Sequence, residues 1–168
     1  MSPSDWADLY RLARTDKEKA FAKYEQFYLG TSGQVYWSDA HQLSNVFEGY
    51  DAVVSTDQGT EMITEVYVDR DSLTPFLTEV RRDFIKHEVD MTYGTIRFIE
   101  PDEESFLPWA TQRSVCIVCN LHVTHTPEGI EKARADFRRI IDRVIEYQGS
   151  FFLTYHRWAT REQVAACY

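Results

Sequence analysis

"SVCIVCNLHVTHTPEG", residues 114–129, is the stretch whose reading decides the fold. It can be read as Cys116-x-x-Cys119-x-x-His122-x-x-His125, four metal-binding side chains at even spacing. In an extended strand those residues span roughly 30 Å at about 3.3 Å per residue. Alternation then sends Cys116 and His122 to one face, Cys119 and His125 to the other. Tetrahedral zinc needs a turn that gathers its ligands, and no Gly or Pro interrupts the run before Pro127. Cys116-x-x-Cys119 does not open a helix, as a redox pair does. No metal is assigned, and both cysteines read as small buried sheet residues. The stretch becomes a strand that runs into a helix capped by Thr126 and started by Pro127.

Outward from this strand the pattern is regular. "EMITEVYV" (61–68) and "MTYGTIRFI" (91–99) read as strands, with "DSLTPFLTEVRRDFIKH" (71–87) as a helix between them. Ser72 is its expected N-cap, and Leu73, Phe76, Leu77, Val80 and Phe84 share one face. The helix after Thr126 has Ile130, Ala133, Phe137, Ile140, Ile141 and Val144 as its buried stripe and Gly149 at its end. "SFFLTYH" (150–156) reads as a fourth strand. The order from 61 to 156 is β-α-β-β-α-β, which predicts an α+β, ferredoxin-like domain: one antiparallel sheet with two helices on one face. Residues 1–60 are a helical N-terminal extension with an aromatic-rich linker, and residues 61–168 form the ferredoxin-like domain. In the extension, residues 4–29 read as helical, Thr15-x-x-Glu18 as a capping box that starts a second helix, and Gln34 to Trp37 as a short strand.

Alternation within each strand then sorts the side chains. Val115, Ile117, Cys119, Leu121 and Val123 should lie under the helices, and Cys116, Val118, Asn120, His122 and Thr124 on the helix-free face. Collecting the polar members puts Glu65, Arg97, Asn120, His122, Thr124 and His156 together there. His122 is expected at the centre, flanked by Arg97 and Glu65, provided the register holds. The alternative for this face is a solvated surface with ordinary cross-strand ion pairs. His41, in an aromatic-rich loop, is a further candidate. The chain has no phosphate-cradling glycine loop, nucleophile elbow or His-Glu-x-x-His pattern.

Composition narrows the classes. The 168 residues are 43% hydrophobic and 27% charged, a globular balance. A formal net charge of −9 argues against nucleic acid as a partner. Three cysteines give no disulfide framework, which points to a reducing, cytoplasmic setting. The N-terminus shows no signal-peptide pattern, and no apolar run approaches the ~20 residues of a membrane span, so membrane association is not indicated.

Several stretches resemble one family. "GTSGQVYWSDAHQLS", "EMITEVYV", "YGTIRFIEPDEESFLPWA", "CNLHVTHTPEGIEKA" and "FLTYHRWATREQVAACY" are similar to the C-terminal part of bacterial FAD-linked oxidases. The branch is that of D-arabinono-1,4-lactone oxidase and the sugar-alcohol oxidases, within the vanillyl-alcohol-oxidase flavoproteins. The resemblance implies a substrate domain whose open sheet face covers the flavin of a separate FAD-binding domain. The implied reaction oxidises a CH–OH group of a sugar, sugar lactone or polyol, with hydride passing to FAD. Arg97 would meet substrate or the reduced flavin's charge, and His122 and Thr124 match the branch's His-x-Thr. Tyr36 and His41 would lie near the flavin. The sequence departs from the branch at Thr95, where relatives carry Glu, and after His156, where their lysine is missing. On this resemblance the chain is a piece of the enzyme, inactive alone. The alternative is a non-catalytic ferredoxin-like module that binds a ligand or dimerises through its open face.

Overall fold

The computed structural model describes residues 1–35, 58–106 and 110–168. The chain divides into two compact units, Met1–Gln58 and Gly59–Tyr168. Tyr36 and Trp37 of the expected strand at Gln34 to Trp37 lie outside the described residues, as does His41; Gln34 and Val35 carry no strand.

In the first unit, helix α1 (Pro3–Thr15) and helix α2 (Lys17–Gly30) are two helices, as expected. The capping box sits at Ser2 and Asp5, not at Thr15 and Glu18. Asp16 caps α2 instead, its carboxylate accepting from Lys19 N–H at 3.1 Å. Asp binds a free helical N–H as readily as Ser or Thr does, and here it stands one residue closer to the helix. Lys23 ties the two helices together through Asp8 at 2.9 Å and Asp5 at 3.4 Å.

The second unit mixes helices and strands. Strand β1 (Gly59–Asp69) leads through a 3-10 turn into helix α3 (Leu73–Lys86). Strands β2 (Met91–Ile99) and β3 (Ser114–Thr124) follow, then helix α4 (Pro127–Glu146). A two-residue strand β4 (Ser150–Phe151) and a short helix α5 (Arg161–Cys167) complete the unit. Among the described residues the strands form one sheet of order β2-β3-β1-β4, with every neighbouring pair antiparallel. Ser72 makes no side-chain cap to α3, because the 3-10 turn Arg70–Ser72 occupies that position. Thr126 does cap α4, its hydroxyl accepting from Gly129 N–H at 3.0 Å, with Pro127 in the first turn.

Helices α3 and α4 cover one sheet face. Phe76 and Val80 of α3 and Ala133, Phe137, Ile140, Ile141 and Val144 of α4 bury against Val66, Val68, Val115, Ile117, Cys119, Leu121 and Val123. This is the face that alternation predicts. Ile130 differs: at the open first turn of α4 it stays exposed. Arg143 of α4 clamps α3 through Asp83, its Nε and Nη2 both donating to one carboxylate oxygen at 3.1 and 2.9 Å. The second sheet face holds a smaller apolar group, Tyr67, Cys116 and Val118 with Ile63 and Ile99 packed against it.

The fourth strand is far shorter than expected. Its ladder ends when Phe152 N–H donates to the Glu65 carbonyl at 2.8 Å, and the chain then turns. The turn breaks the alternation on which the placing of His156 depended. His156 lies buried on the helix side, 4.4 Å from the Phe137 ring and 5.7 Å from the Trp158 ring, so its assignment to the second face is corrected. Burial pushes the His156 imidazole below its ordinary value. Tyr155 takes the second face instead.

Candidate functional site

The second face of the sheet gathers most of the expected polar residues, but as two groups rather than one. Register decides this. His122 stands opposite Glu61, Asn120 opposite Ile63 and Tyr93, and Val118 opposite Glu65 and Thr95. Arg97 stands opposite Cys116, six residues along β3 from His122. At ~3.4 Å per residue Arg97 and His122 are about 20 Å apart along the strands. Glu65 lies four residues from Glu61, about 14 Å away on the same count. Arg97 and Glu65 therefore share the face of His122 but do not flank it. That expectation is corrected, because pairing across a hairpin depends on where the loop closes and not on alternation.

The first group is built around His122. Its Nδ1 lies 2.6 Å from a Glu61 carboxylate oxygen, and the Thr92 hydroxyl donates to the other Glu61 oxygen at 3.1 Å. Thr92 reaches Glu61 because β2 is irregular between Met91 and Tyr93, and a bulge re-aims the side chain it carries. The His122 main-chain N–H donates to the Asp90 carbonyl at 2.9 Å. The imidazole lies over Gly59: a Cβ there would come within 2.3 Å of Cε1 and 2.4 Å of Nε2. Glycine at the start of β1 is what leaves room for the ring. The side chains of His122 and Glu61 are 5% and 21% exposed, so water screens the pair weakly. Asn120 is buried beside the group, and Thr124 at the strand end is half-buried.

The second group is built around Glu65. Tyr67 donates its phenol to one carboxylate oxygen, and Tyr155 donates to the other at 3.1 Å. Burial alone would raise the Glu65 carboxyl. The hydrogen bonds from Tyr67, Cys116 and Tyr155 and the charge of Arg97 outweigh it and hold the group below the usual range. Burial first, then the hydrogen bond to Glu65 and the Glu65 charge, pushes the Tyr67 phenol well above its ordinary value. The same causes push the Cys116 thiol up to about 12. Glu65 is thus a fixed anion and both phenols are fixed donors. Arg97 is exposed on this face, as are Tyr93, Phe152 and Tyr155.

Sequence reasoning missed Glu61, Thr92, Tyr67 and Tyr155. Glu61 had a signal, since it falls in the same alternating set as Glu65. Thr92 had none, because a bulge leaves no mark on periodicity. Cys119 lies under the helices, and burial pushes its thiol up to about 12. Among the described residues no group of three or more His, Cys, Asp or Glu is placed to hold a metal ion. Among them, too, no helix is long and apolar enough to cross a membrane. Comparison with models of protein families, with curated proteins and with solved structures finds no match to this chain.

Proposed function

We propose that this chain is the substrate domain of a FAD-dependent oxidoreductase that oxidises a CH–OH group of a sugar, sugar lactone or polyol. The observation that carries this reading is the histidine held by a carboxylate on the second sheet face, the arrangement of an oriented general base. The strand order β2-β3-β1-β4, with α3 and α4 on the other face, supports a ferredoxin-like arrangement as the scaffold. The resemblance of residues 31–168 to FAD-linked oxidases supports the reaction class.

The residues present suit the substrate side of a flavin and not its phosphates. Arg97 is a cation on the face beside exposed aromatic rings, and the sequence has no phosphate-cradling loop. FAD would be held by a separate domain, and when bound it supplies the two-electron acceptor for the hydride. The chain's own residues then divide the work by position. His122 takes the proton of the substrate hydroxyl as the carbonyl forms. Asn120 and Thr124, its neighbours on β3, bind adjoining hydroxyls. Arg97 and Glu65 are too far along the sheet to touch the same hydroxyl, so Arg97 offsets negative charge at the acceptor end. His156, packed against α4, has no part in this.

The test is purification under native conditions from the source organism of the polypeptide that carries these residues. It is expected to bring down flavin absorbance that bleaches when a polyol, sugar or sugar lactone is added without oxygen. A colourless preparation that stays inert to all three substrate classes would end the reading. A non-catalytic binding module is the second reading, favoured by Ile96 and Phe98, which are 46% and 64% exposed on the edge strand, on its helix-side face and not on the open face. A flavin-free preparation that elutes as a stable dimer would favour it.

A further inference from the structure

We infer that Glu61 is the positioning residue of His122: it fixes the tautomer and orientation of the imidazole, with Thr92 and Gly59 setting the geometry. The inference rests on the role proposed for His122 and adds to it a residue that neither sequence motif nor resemblance marks. Four observations bear on it. The Nδ1–carboxylate separation is 2.6 Å, at the short end for a charge-assisted hydrogen bond. The second carboxylate oxygen is engaged by Thr92, so Glu61 is held from both sides. The two residues are a direct cross-strand pair, which fixes their backbones relative to each other. The ring sits where any side chain at position 59 would collide with it.

The chemical consequence follows from the two ring nitrogens. A carboxylate can only accept, so the neutral imidazole keeps its proton on Nδ1 and carries its lone pair on Nε2. In the proposed reaction Nε2 takes the hydroxyl proton as the alcohol carbon becomes a carbonyl, and a bound flavin would supply the acceptor for the C–H electron pair. The Glu61 carboxylate accepts from Nδ1–H and would stabilise the imidazolium that forms. The described charged and titratable neighbours are few. Glu61 faces His122 from β1, and Asp90 precedes β2 and meets the His122 main chain. His125 lies three residues on and bonds to the Thr60 hydroxyl at 2.6 Å.

The experiment is an NMR titration of the five histidines in the intact chain, with His122→Gln to assign the resonance. Neutral His122 is expected as the Nδ1–H tautomer. In Glu61→Gln, which keeps an acceptor but removes the charge, its pKa is expected to fall by roughly one unit, a tenfold loss of proton affinity. In the flavin-loaded protein the acid limb of the pH profile of substrate reduction should move to lower pH by the same amount. Two results overturn the inference: an unmoved His122 titration in a Glu61→Gln chain with an unchanged amide spectrum, or a wild-type imidazole protonated on Nε2 when neutral. The second needs no variant and holds even if Glu61→Gln fails to fold. The titration needs no flavin, so its failure leaves the oxidoreductase reading standing, and a colourless protein leaves the titration meaningful.

Discussion

A methyl group at position 59 would overlap the His122 ring, which makes Gly59→Ala an informative single change at the residue scale. The ring must leave its place, and the overlap is expected to cost about 1–3 kcal/mol in chemical denaturation. The NMR spectrum of the variant should show the His122–Glu61 hydrogen bond broken. Glu65 makes a second prediction. Its folded-state carboxyl is held below the unfolded value, so the stability it contributes is present above the ordinary carboxylate range and is lost as pH falls through the folded value. Tyr155→Phe removes one donor, lets the carboxyl rise, and should move acid unfolding to higher pH. Tyr67 has the opposite sign: its raised phenol supports the fold below about pH 10 and loses that support as pH rises. Which face each residue takes was legible in the sequence for Glu65, Arg97, Asn120, His122 and Thr124, because alternation is a property of one strand. Their spacing was not. The distance between Arg97 and His122 depends on register, and register is a property of two strands.

At the scale of elements, the clamp between α3 and α4 should be measurable. A double-mutant cycle on Arg143 and Asp83 is expected to give about 1–2 kcal/mol, since both side chains are partly shielded and the pair is doubly hydrogen-bonded. Phe137→Ala should cost about 3–5 kcal/mol, because its fully buried ring supports the core and also His156 and Trp158. The stripes of α3 and α4 and the bounds of β2 follow from periodicity, which local sequence carries. The early end of β4 does not. "FFLTYH" alternates well enough to continue, yet pairing stops at Phe152 because the chain turns to bring Trp158 and α5 onto α4. Arg138 holds that turn, its Nε donating to the Trp158 carbonyl at 2.7 Å, and Gln163 of α5 donates to Asp142 at 2.6 Å. These are tertiary interactions, and they override a local β preference.

At the scale of the whole molecule, the unit Gly59–Tyr168 contains its own core, with strands and helices contributing to one cluster. Expressed without residues 1–58 it is expected to unfold in a single cooperative thermal transition, with circular dichroism and core fluorescence changing together. Separate transitions for the two signals would show that the unit does not unfold as one. The three thiols give the same molecule a built-in clock. Cys167 is only half-buried, whereas Cys116 and Cys119 lie back to back in β3, on opposite faces and at 0% and 3% exposure. A thiol reagent should therefore label Cys167 promptly. Cys116 and Cys119 should wait for openings that separate the strand from its neighbours. If one sheet face loosens before the other, their labelling rates will part, and the side that yields first will be readable by mass.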